Sequence, residues 1–407
     1  MKKILLTIGV ITVVVVSAFI FTNPVAWFFQ PTSQSEPAAT TTADLSTESE
    51  LPIEDNDSID EFITVIADNL FTPWGLTFLS DGNLLLTERP GRLLELSPEG
   101  DVLHEISISS HQRGESGLLG VAVHPDYAQN SWIYLYNTTA NNDGLVNQVV
   151  RFRYEAGELY DRTVIIGGIA GAAYHDGGRI AFGPDGHLFI LTGDATDTNL
   201  AQRTDNLEGK VLRVHDDGSI PEDNPFGNAV YTYGHRNPQG IAWHQSGQIF
   251  ITEHGRSGAR SGLDEINLLG AGRNYGWPYL EGDEICAADD IYQPSWPTGS
   301  ECNGISPIEH SGPDITWAPA SAAIAGDSLF FGGLRGQALY EATIVNTGTE
   351  IMVENVRTHF KGEYGRLRTV SVSPDGNYLY ITTSNTDGRG NPATDDDKLI
   401  RVPLSRL

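Results

Sequence analysis

The chain has 407 residues, of which 40% are hydrophobic, so it is long enough for one to three domains with buried cores. It carries 53 acidic against 25 basic residues, a formal net charge of −28. This balance argues against a nucleic-acid partner, because binding to phosphates needs a basic face.

The N-terminal 30 residues are predicted to serve export. Lys2 and Lys3 precede an apolar run, Ile4–Phe21, that is about long enough to span a bilayer. A cleaved signal peptide and an uncleaved anchor both fit, and the lysines stay cytoplasmic in either case. We therefore expect a periplasmic protein, free or anchored to the inner membrane, that meets the membrane only through this segment. Residues 31–58 are rich in Ser, Thr, Glu and Asp and are predicted to be a flexible linker.

Residues 59–407 are predicted to form an all-β fold, a six-bladed β-propeller with four antiparallel strands per blade. A turn with Gly or Asp, followed by an apolar strand, recurs six times without a convincing amphipathic helix in between. Evenly recurring strand pairs with turn signals are typical of closed β repeats. A sandwich or two barrels would not explain six copies. The copies are FLSDGNLLLTERPGRLLEL, VHPDYAQNSWIYLYNTT, FGPDGHLFILTGD, WHQSGQIFITEHG, IAGDSLFFGGLRGQALYEA and VSPDGNYLYITTSN.

The two cysteines, Cys286 and Cys302, lie in a stretch rich in Asp, Pro and Gly. In an exported protein a disulfide that closes this loop is the favoured interpretation. A zinc site is disfavoured, because the chain has no other cysteine and neither cysteine has a histidine at zinc spacing.

The predicted loops contain a set of titratable and basic residues that a propeller would direct towards its central channel. Arginine forks bind carboxylates or phosphates bidentately, so the arginines together indicate a polyanionic ligand. Each residue taken alone could equally be structural. No His-Glu-x-x-His helix, Gly-x-Ser-x-Gly elbow or P-loop occurs. The candidates are Glu115, His175, Arg236, Asn237, Arg335, Arg366 and Arg368.

Six motifs follow one another along the chain in a specific order: PWGLTFL, GLLGVAVHPDY, HDGGRIAFGPDG, YGHRNPQGIAW, DEINLLGAGRNYGWP and GRLRTVSVSPDG. In this order they resemble the soluble quinoprotein sugar dehydrogenases, that is, the glucose/sorbosone dehydrogenase-like propellers and aldose sugar dehydrogenases that use pyrroloquinoline quinone (PQQ). The resemblance runs from about Leu70 to the C-terminus.

The resemblance implies a role for each matching residue around PQQ. His175 matches the catalytic base, and Arg236 and Asn237 match residues at the quinone oxygens. Arg366 and Arg368 match the pair that holds cofactor carboxylates. Further cofactor-binding positions are Arg335, where some members have lysine, Trp317, which would stack, and Glu115, where some members have glutamine.

The resemblance also implies calcium. Gly255 and Arg256 match the residues whose backbone carbonyls hold the cofactor Ca²⁺, while Glu265 and Tyr275 match positions at a second, structural Ca²⁺. Glu115 departs from the family pattern in a way that bears on the cofactor, because its charge would lie near an anionic ligand.

The function that follows is oxidation of an aldose to its lactone, with hydride passed to PQQ and electrons passed on to an external acceptor. A neutral histidine suits removal of the proton from the sugar hydroxyl, and Ca²⁺ suits polarisation of the quinone. We expect the glycines after His175 to let the cofactor lie close to the backbone. The alternatives are a calcium-dependent lactonase on a six-bladed propeller and a binding propeller without a cofactor.

Overall fold

The computed structural model describes residues 63–142, 144–258, 261–285 and 304–407. The predicted export segment, the predicted linker and both cysteines, Cys286 and Cys302, lie outside these residues. Within them, no helix combines the length and apolar character that a membrane crossing requires.

The described strands form six four-stranded antiparallel sheets, which confirms the six-bladed propeller. Helical segments in this part of the chain are short, as in α1 (Tyr127–Asn130), α2 (Thr198–Ala201) and a 3-10 turn at Leu404–Arg406. The first strand is β1 (Thr64–Ala67), and the strands of blades 1 to 3 follow as β2 (Pro73–Phe78), β3 (Leu84–Glu88), β4 (Arg92–Leu96), β5 (Val102–Ser107), β6 (Leu118–Val123), β7 (Trp132–Asn141), β8 (Gly144–Glu155), β9 (Glu158–Ala170), β10 (Ile180–Phe182), β11 (Leu188–Thr192), β12 (Lys210–Val214) and β13 (Val230–Tyr233).

Blade 4 contains β14 (Pro238–Trp243), β15 (Ile249–Glu253), β16 (Glu265–Leu269) and β19 (Glu309–His310), with a separate hairpin of β17 (Leu280–Glu281) and β18 (Glu284–Ile285) between the last two. Blades 5 and 6 follow as β20 (Ala323–Ala325), β21 (Ser328–Gly333), β22 (Ala338–Asn346), β23 (Ile351–His359), β24 (Leu367–Val372), β25 (Tyr378–Thr383) and β26 (Leu399–Pro403). Blade 6 is completed by β1, so its order is β1-β26-β25-β24.

The first hairpin of blade 3 shows why the repeats fold as they do. Gly186 adopts a φ of +78°, which the turn between β10 and β11 requires and which a residue without Cβ adopts readily. The turn sets Phe182 opposite Leu188. Every residue of β11 is buried, and a short, continuously apolar run is typical of a strand covered on both faces.

The ring closes because the last blade takes strands from both ends of the described chain. Thr64 in β1 pairs with Arg401 in β26, and the inner strand β2 packs against the inner strands β6 and β24 on either side. The buried carboxylate of Asp397 also joins the two ends, since it accepts hydrogen bonds from the Thr72 amide (3.2 Å) and the Thr383 hydroxyl (3.1 Å).

The first strand of blades 1 to 5, and β24 in blade 6, is the innermost strand of its sheet. Because neighbouring strands are antiparallel, the loop that enters an inner strand and the loop that joins the second strand to the third emerge at the same end of the blade. We call this end of the propeller the upper end.

Candidate active site

A cavity of about 330 Å³ opens at the upper end, between loops of blades 2 to 6. Most of the predicted site residues line it, although they are scattered over more than 250 positions of the sequence. The predicted residues in the lining are Glu115, His175, Arg236, Asn237, Gly255, Arg256, Arg335 and Arg366.

The topology explains this convergence. Glu115, His175, Asn237 and Arg366 each precede an inner strand by at most a few residues, so four different blades place them at equivalent points around the axis. The segment around Gly255 instead follows β15 and belongs to a loop between second and third strands. Both classes of loop emerge at the upper end, so their side chains meet there.

His175 is held by a buried carboxylate that the motifs did not identify. Nδ1 of His175 lies 2.7 Å from Oδ1 of Asp194, which has no solvent exposure. Asp194 is itself fixed, because it accepts hydrogen bonds from the Trp277 indole (2.8 Å) and the Thr196 amide (2.8 Å). A carboxylate beside Nδ1 keeps the proton on that nitrogen and leaves Nε2 as the basic nitrogen of the ring.

The glycines after His175 are required by packing within the protein. A Cβ on Gly177 would lie 2.4 Å from the Leu191 carbonyl oxygen, and a Cβ on Gly178 would lie 2.6 Å from the Leu119 side chain. These glycines therefore allow close packing of neighbouring strands. His175 itself has a φ of +63°, the left-handed region that side chains rarely adopt.

Glu115 carries a charge, but the protein compensates it. Its Oε1 pairs with Nη1 of Arg389 at 2.8 Å, and its Oε2 accepts the backbone amide of His175 at 3.0 Å. Burial would raise the pKa of Glu115, but the charge of Arg389 and the hydrogen bond from His175 outweigh burial and lower the pKa to about 2. Glu115 thus stays ionised and ties the strained backbone of His175 to the loop after β25.

The cavity is strongly cationic. Five arginines line it, against the two carboxylates of Glu115 and Asp264. Arg366 forms an ion pair with Asp387 at 2.8 Å, and Arg335 is exposed at the rim. Arg236 lies 5.4 Å from the Trp277 ring centroid, and its buried Nε has no hydrogen-bond partner among the described residues. The lining arginines are Arg236, Arg256, Arg335, Arg366 and Arg389.

Two predicted cofactor-binding residues lie outside the lining. Trp317 is buried, and its ring packs against Phe331 (5.3 Å between centroids) and Tyr340 (5.6 Å) in the core of blade 5. Its neighbours Thr316 and Ala318 line the cavity instead. Arg368 is buried, and its guanidinium contacts the Trp74 ring and the Gln239 side chain.

The two residues predicted at a second Ca²⁺, Glu265 and Tyr275, lie together in a small pocket beside the main cavity. Burial, together with the charge of Glu253, raises the pKa of Glu265 well above its usual range. Burial also raises the pKa of the nearby Glu281 to about 7. Nevertheless, no three His, Asp or Glu side chains in the described ranges are grouped as metal ligands, so carboxylate clustering alone does not define a metal site.

Among the residues of this site that sequence reasoning missed are Asp194, His254 and Arg389. All three follow the second strand of a blade, where the chain emerges at the upper end. The six sequence repeats mark the end of this strand in each blade, so they could have identified these residues as candidates. His254 lines the cavity, and burial lowers its pKa to about 3, so this second imidazole is neutral.

The sequence matches the glucose/sorbosone dehydrogenase family over residues 70–401, a span that includes every residue of the cavity described above. The chain belongs to this family. The family predicted from the ordered motifs is therefore confirmed, and so is the enzyme class.

The chain is also similar to three proteins that are named as sugar dehydrogenases. The aldose sugar dehydrogenase of Streptomyces coelicolor in its PQQ-bound form shares 35% identity, with a TM-score of 0.72 over 84% of this chain and 97% of that one. Aldose sugar dehydrogenase YliI of Escherichia coli K12 is 30% identical over 80% of this chain and 91% of its own length. Quinoprotein glucose dehydrogenase B of Acinetobacter calcoaceticus is 35% identical over 54% of this chain, and the match covers about half (52%) of that protein's own length.

Proposed function

We propose that the protein is a PQQ-dependent aldose dehydrogenase that oxidises the anomeric carbon of a sugar to the lactone. The observation that carries this proposal is the single cavity in which His175, bound through Nδ1 to Asp194 (2.7 Å), meets five arginines. A base beside an arginine-rich anion site is what oxidation of a neutral sugar by an anionic cofactor requires.

The residues of the cavity fit PQQ, which is a tricarboxylate. Five arginines and two carboxylates line the cavity, and the ion pairs of Arg366 with Asp387 and of Arg256 with Glu281 offset part of the arginine charge. Arg236 and Arg335 have no carboxylate at ion-pair distance among the described residues, so their charges are available to an anionic ligand. The buried Nε of Arg236, which has no partner among the residues that the structure describes, is a hydrogen-bond donor that a ligand would satisfy. Arg236, Arg335 and Arg366 are the residues that would hold the cofactor.

Calcium is the second component of the proposal. The backbone carbonyls of Gly255 and Arg256 would hold it, and carbonyl oxygens are hard ligands of the kind that Ca²⁺ prefers. Gly255 is required by the local packing, because a Cβ there would lie 2.3 Å from the Gly262 carbonyl oxygen. When bound, PQQ supplies a two-electron acceptor, and Ca²⁺ supplies a Lewis acid that polarises it.

The protein's own part in the reaction is to hold and move a proton. Asp194 keeps the Nδ1 proton of His175 in place, so Nε2 takes the proton of the anomeric hydroxyl as the sugar is oxidised. Asp194 then stabilises the imidazolium that forms. Glu115 accepts the His175 amide and so fixes the ring towards the cavity.

We also propose that the electrons leave to an external acceptor and that the enzyme works outside the cytoplasm. The support for export is the sequence of residues 1–30, in which two lysines precede an apolar run.

Reconstitution tests the proposal. Protein made in a host that does not synthesise PQQ should not reduce a dye with any aldose. Adding PQQ and Ca²⁺ should produce sugar-dependent dye reduction and a lactone product, and a chelator added before the metal should prevent both. Lactone hydrolysis with Ca²⁺ alone would indicate the lactonase alternative. Tight sugar binding without any turnover would indicate a binding propeller.

A further inference from the structure

Below the cavity, two buried arginines stack on one tryptophan near the propeller axis. The guanidinium carbon of Arg179 lies 4.5 Å from the ring centroid of Trp74, and that of Arg368 lies 5.5 Å from it. All three side chains are buried. We call Trp74, Arg179 and Arg368 the channel floor. They come from blades 1, 3 and 6, since Trp74 lies in β2, Arg179 directly precedes β10, and Arg368 lies in β24.

Neither arginine of the floor has a carboxylate within ion-pair distance among the described residues. Arg179 donates only to the backbone carbonyls of Gln239 (3.0 Å) and Ala320 (3.0 Å). Arg368 donates to the Gln239 side-chain oxygen (3.3 Å) and to the Ser384 hydroxyl (3.4 Å). Burial lowers the pKa of Arg179 to about 10 and that of Arg368 to about 9, so both remain charged at neutral pH.

The floor lies one step below the cavity. Asn237, Ala318 and Arg366 line the cavity. Two positions further along each of these segments lie Gln239 and Ala320, which accept hydrogen bonds from Arg179, and Arg368, which belongs to the floor. Two residues of a strand advance by about 7 Å. A unit charge at such a distance acts appreciably in a protein interior.

A buried charge without an opposite charge is costly, and the usual compensation is a partner ion. Here the neighbouring space that could hold one is the cationic cavity above. We propose that Arg179 of the channel floor forms a second layer of anion recognition, which strengthens binding of the tricarboxylate cofactor through its charge, without touching it. This inference rests on the proposed function, because it takes PQQ as the anion.

The rival explanation is that Arg179 only links blades 4 and 5 through its two carbonyl hydrogen bonds. The two explanations make different predictions for Arg179→Gln and Arg179→Lys. Glutamine keeps a hydrogen-bond donor without the charge, and lysine keeps the charge without the planar fork. If charge is what matters, glutamine weakens the binding of an anion and lysine preserves it.

The measurement is equilibrium titration of the apoprotein, with Ca²⁺ and without sugar, using PQQ and its trimethyl ester, which has the same ring system but no carboxylate charges. We expect Arg179→Gln to bind PQQ roughly tenfold more weakly than the wild type, as expected for one charge near the ligand. The ester should bind equally to both, and Arg179→Lys should bind PQQ within about threefold of the wild type.

A matched control is Arg213→Gln. Arg213 is also buried, but it pairs with Asp185 (2.9 Å) and Asp223 (2.8 Å) away from the upper end, so its loss should leave PQQ affinity unchanged. Equal PQQ affinity in the wild type and Arg179→Gln would overturn the inference, as would an equal loss of PQQ and ester binding. If the wild type binds neither compound, the proposed function fails, and the inference fails with it.

Discussion

At the scale of single residues, the site depends on side chains that act through their neighbours. His175 matches the family base, but its orientation is due to Asp194, which ends the same strand repeat nineteen positions later. The backbone of His175 is held by Glu115, and the sequence alone did not show which residue neutralises the negative charge of Glu115. Arg389 supplies that balance at 2.8 Å. The sequence identified the residue types, whereas these pairings depend on which loops of the ring become neighbours.

The Glu115–Arg389 pair makes a prediction for pH dependence. In the wild type the pKa of Glu115 is about 2, below its ordinary value of 4.5, so the ionised carboxylate stabilises the fold above pH 4.5. This contribution is lost as the pH falls towards 2. In Arg389→Met the largest contribution that lowers the pKa is gone, while burial still raises the pKa and the His175 amide still lowers it, so the pKa should rise from the wild-type value. The ionised carboxylate should therefore stabilise the fold less at pH 7 than it does in the wild type, and this difference should shrink as the pH falls.

Urea unfolding at pH 4, 5.5 and 7 measures this effect. We expect Arg389→Met to lose about 1–3 kcal/mol at pH 7, less than for a fully buried pair because Arg389 is 44% exposed. In the Glu115→Gln/Arg389→Met double variant, the pH-dependent part of the loss should disappear. Parallel pH profiles for the wild type and Arg389→Met would show that the pair has no electrostatic role.

At the scale of elements, inner hairpins were predictable and outer strands were not. β3 and β11 are wholly buried and begin with the apolar runs LLL and LFIL, which make the six repeats visible. Outer strands such as β5 face solvent and carry no such pattern. The pairing of β1 with β26 was likewise not predictable, because β1 has only four residues, two of them exposed, and carries no apolar pattern. Trp317 could not be placed from the sequence, because an aromatic residue beside the site can either face a ligand or pack in the core, and here the ring packs in the core.

Blade 4 is the irregular element, since a hairpin and residues 286–303 separate β16 from its short outer strand β19. The predicted disulfide between Cys286 and Cys302 falls in this insertion, and it remains a prediction. It would stabilise the protein by roughly 3 kcal/mol in the loop-entropy description. Thiol labelling of exported protein, unfolded without reductant, should detect no free thiol, and reduction should expose two. Two thiols before reduction would refute the bridge.

At the scale of the whole molecule, charge is divided unevenly. The chain has a net charge of −28, yet five of its 25 basic residues line one cavity, and two more arginines lie beneath it. A cationic site in an acidic protein focuses its field on the ligand that enters, because anions are repelled elsewhere on the surface. The propeller makes this concentration possible, since loops of blades 2 to 6 meet at one end of the ring.

The central claim is that one cavity binds PQQ through arginines and oxidises the sugar through His175. Its most direct test is anaerobic mixing of an aldose with PQQ- and Ca²⁺-loaded protein, with reduction of the quinone followed by absorbance. We predict reduction of one quinone per chain in the wild type. His175→Ala should bind PQQ normally but reduce it about 100-fold more slowly or worse, because the general base is missing. Arg366→Ala should bind PQQ roughly 10- to 150-fold more weakly, yet largely recover reduction at saturating PQQ. Wild-type reduction rates in saturated His175→Ala would contradict the account.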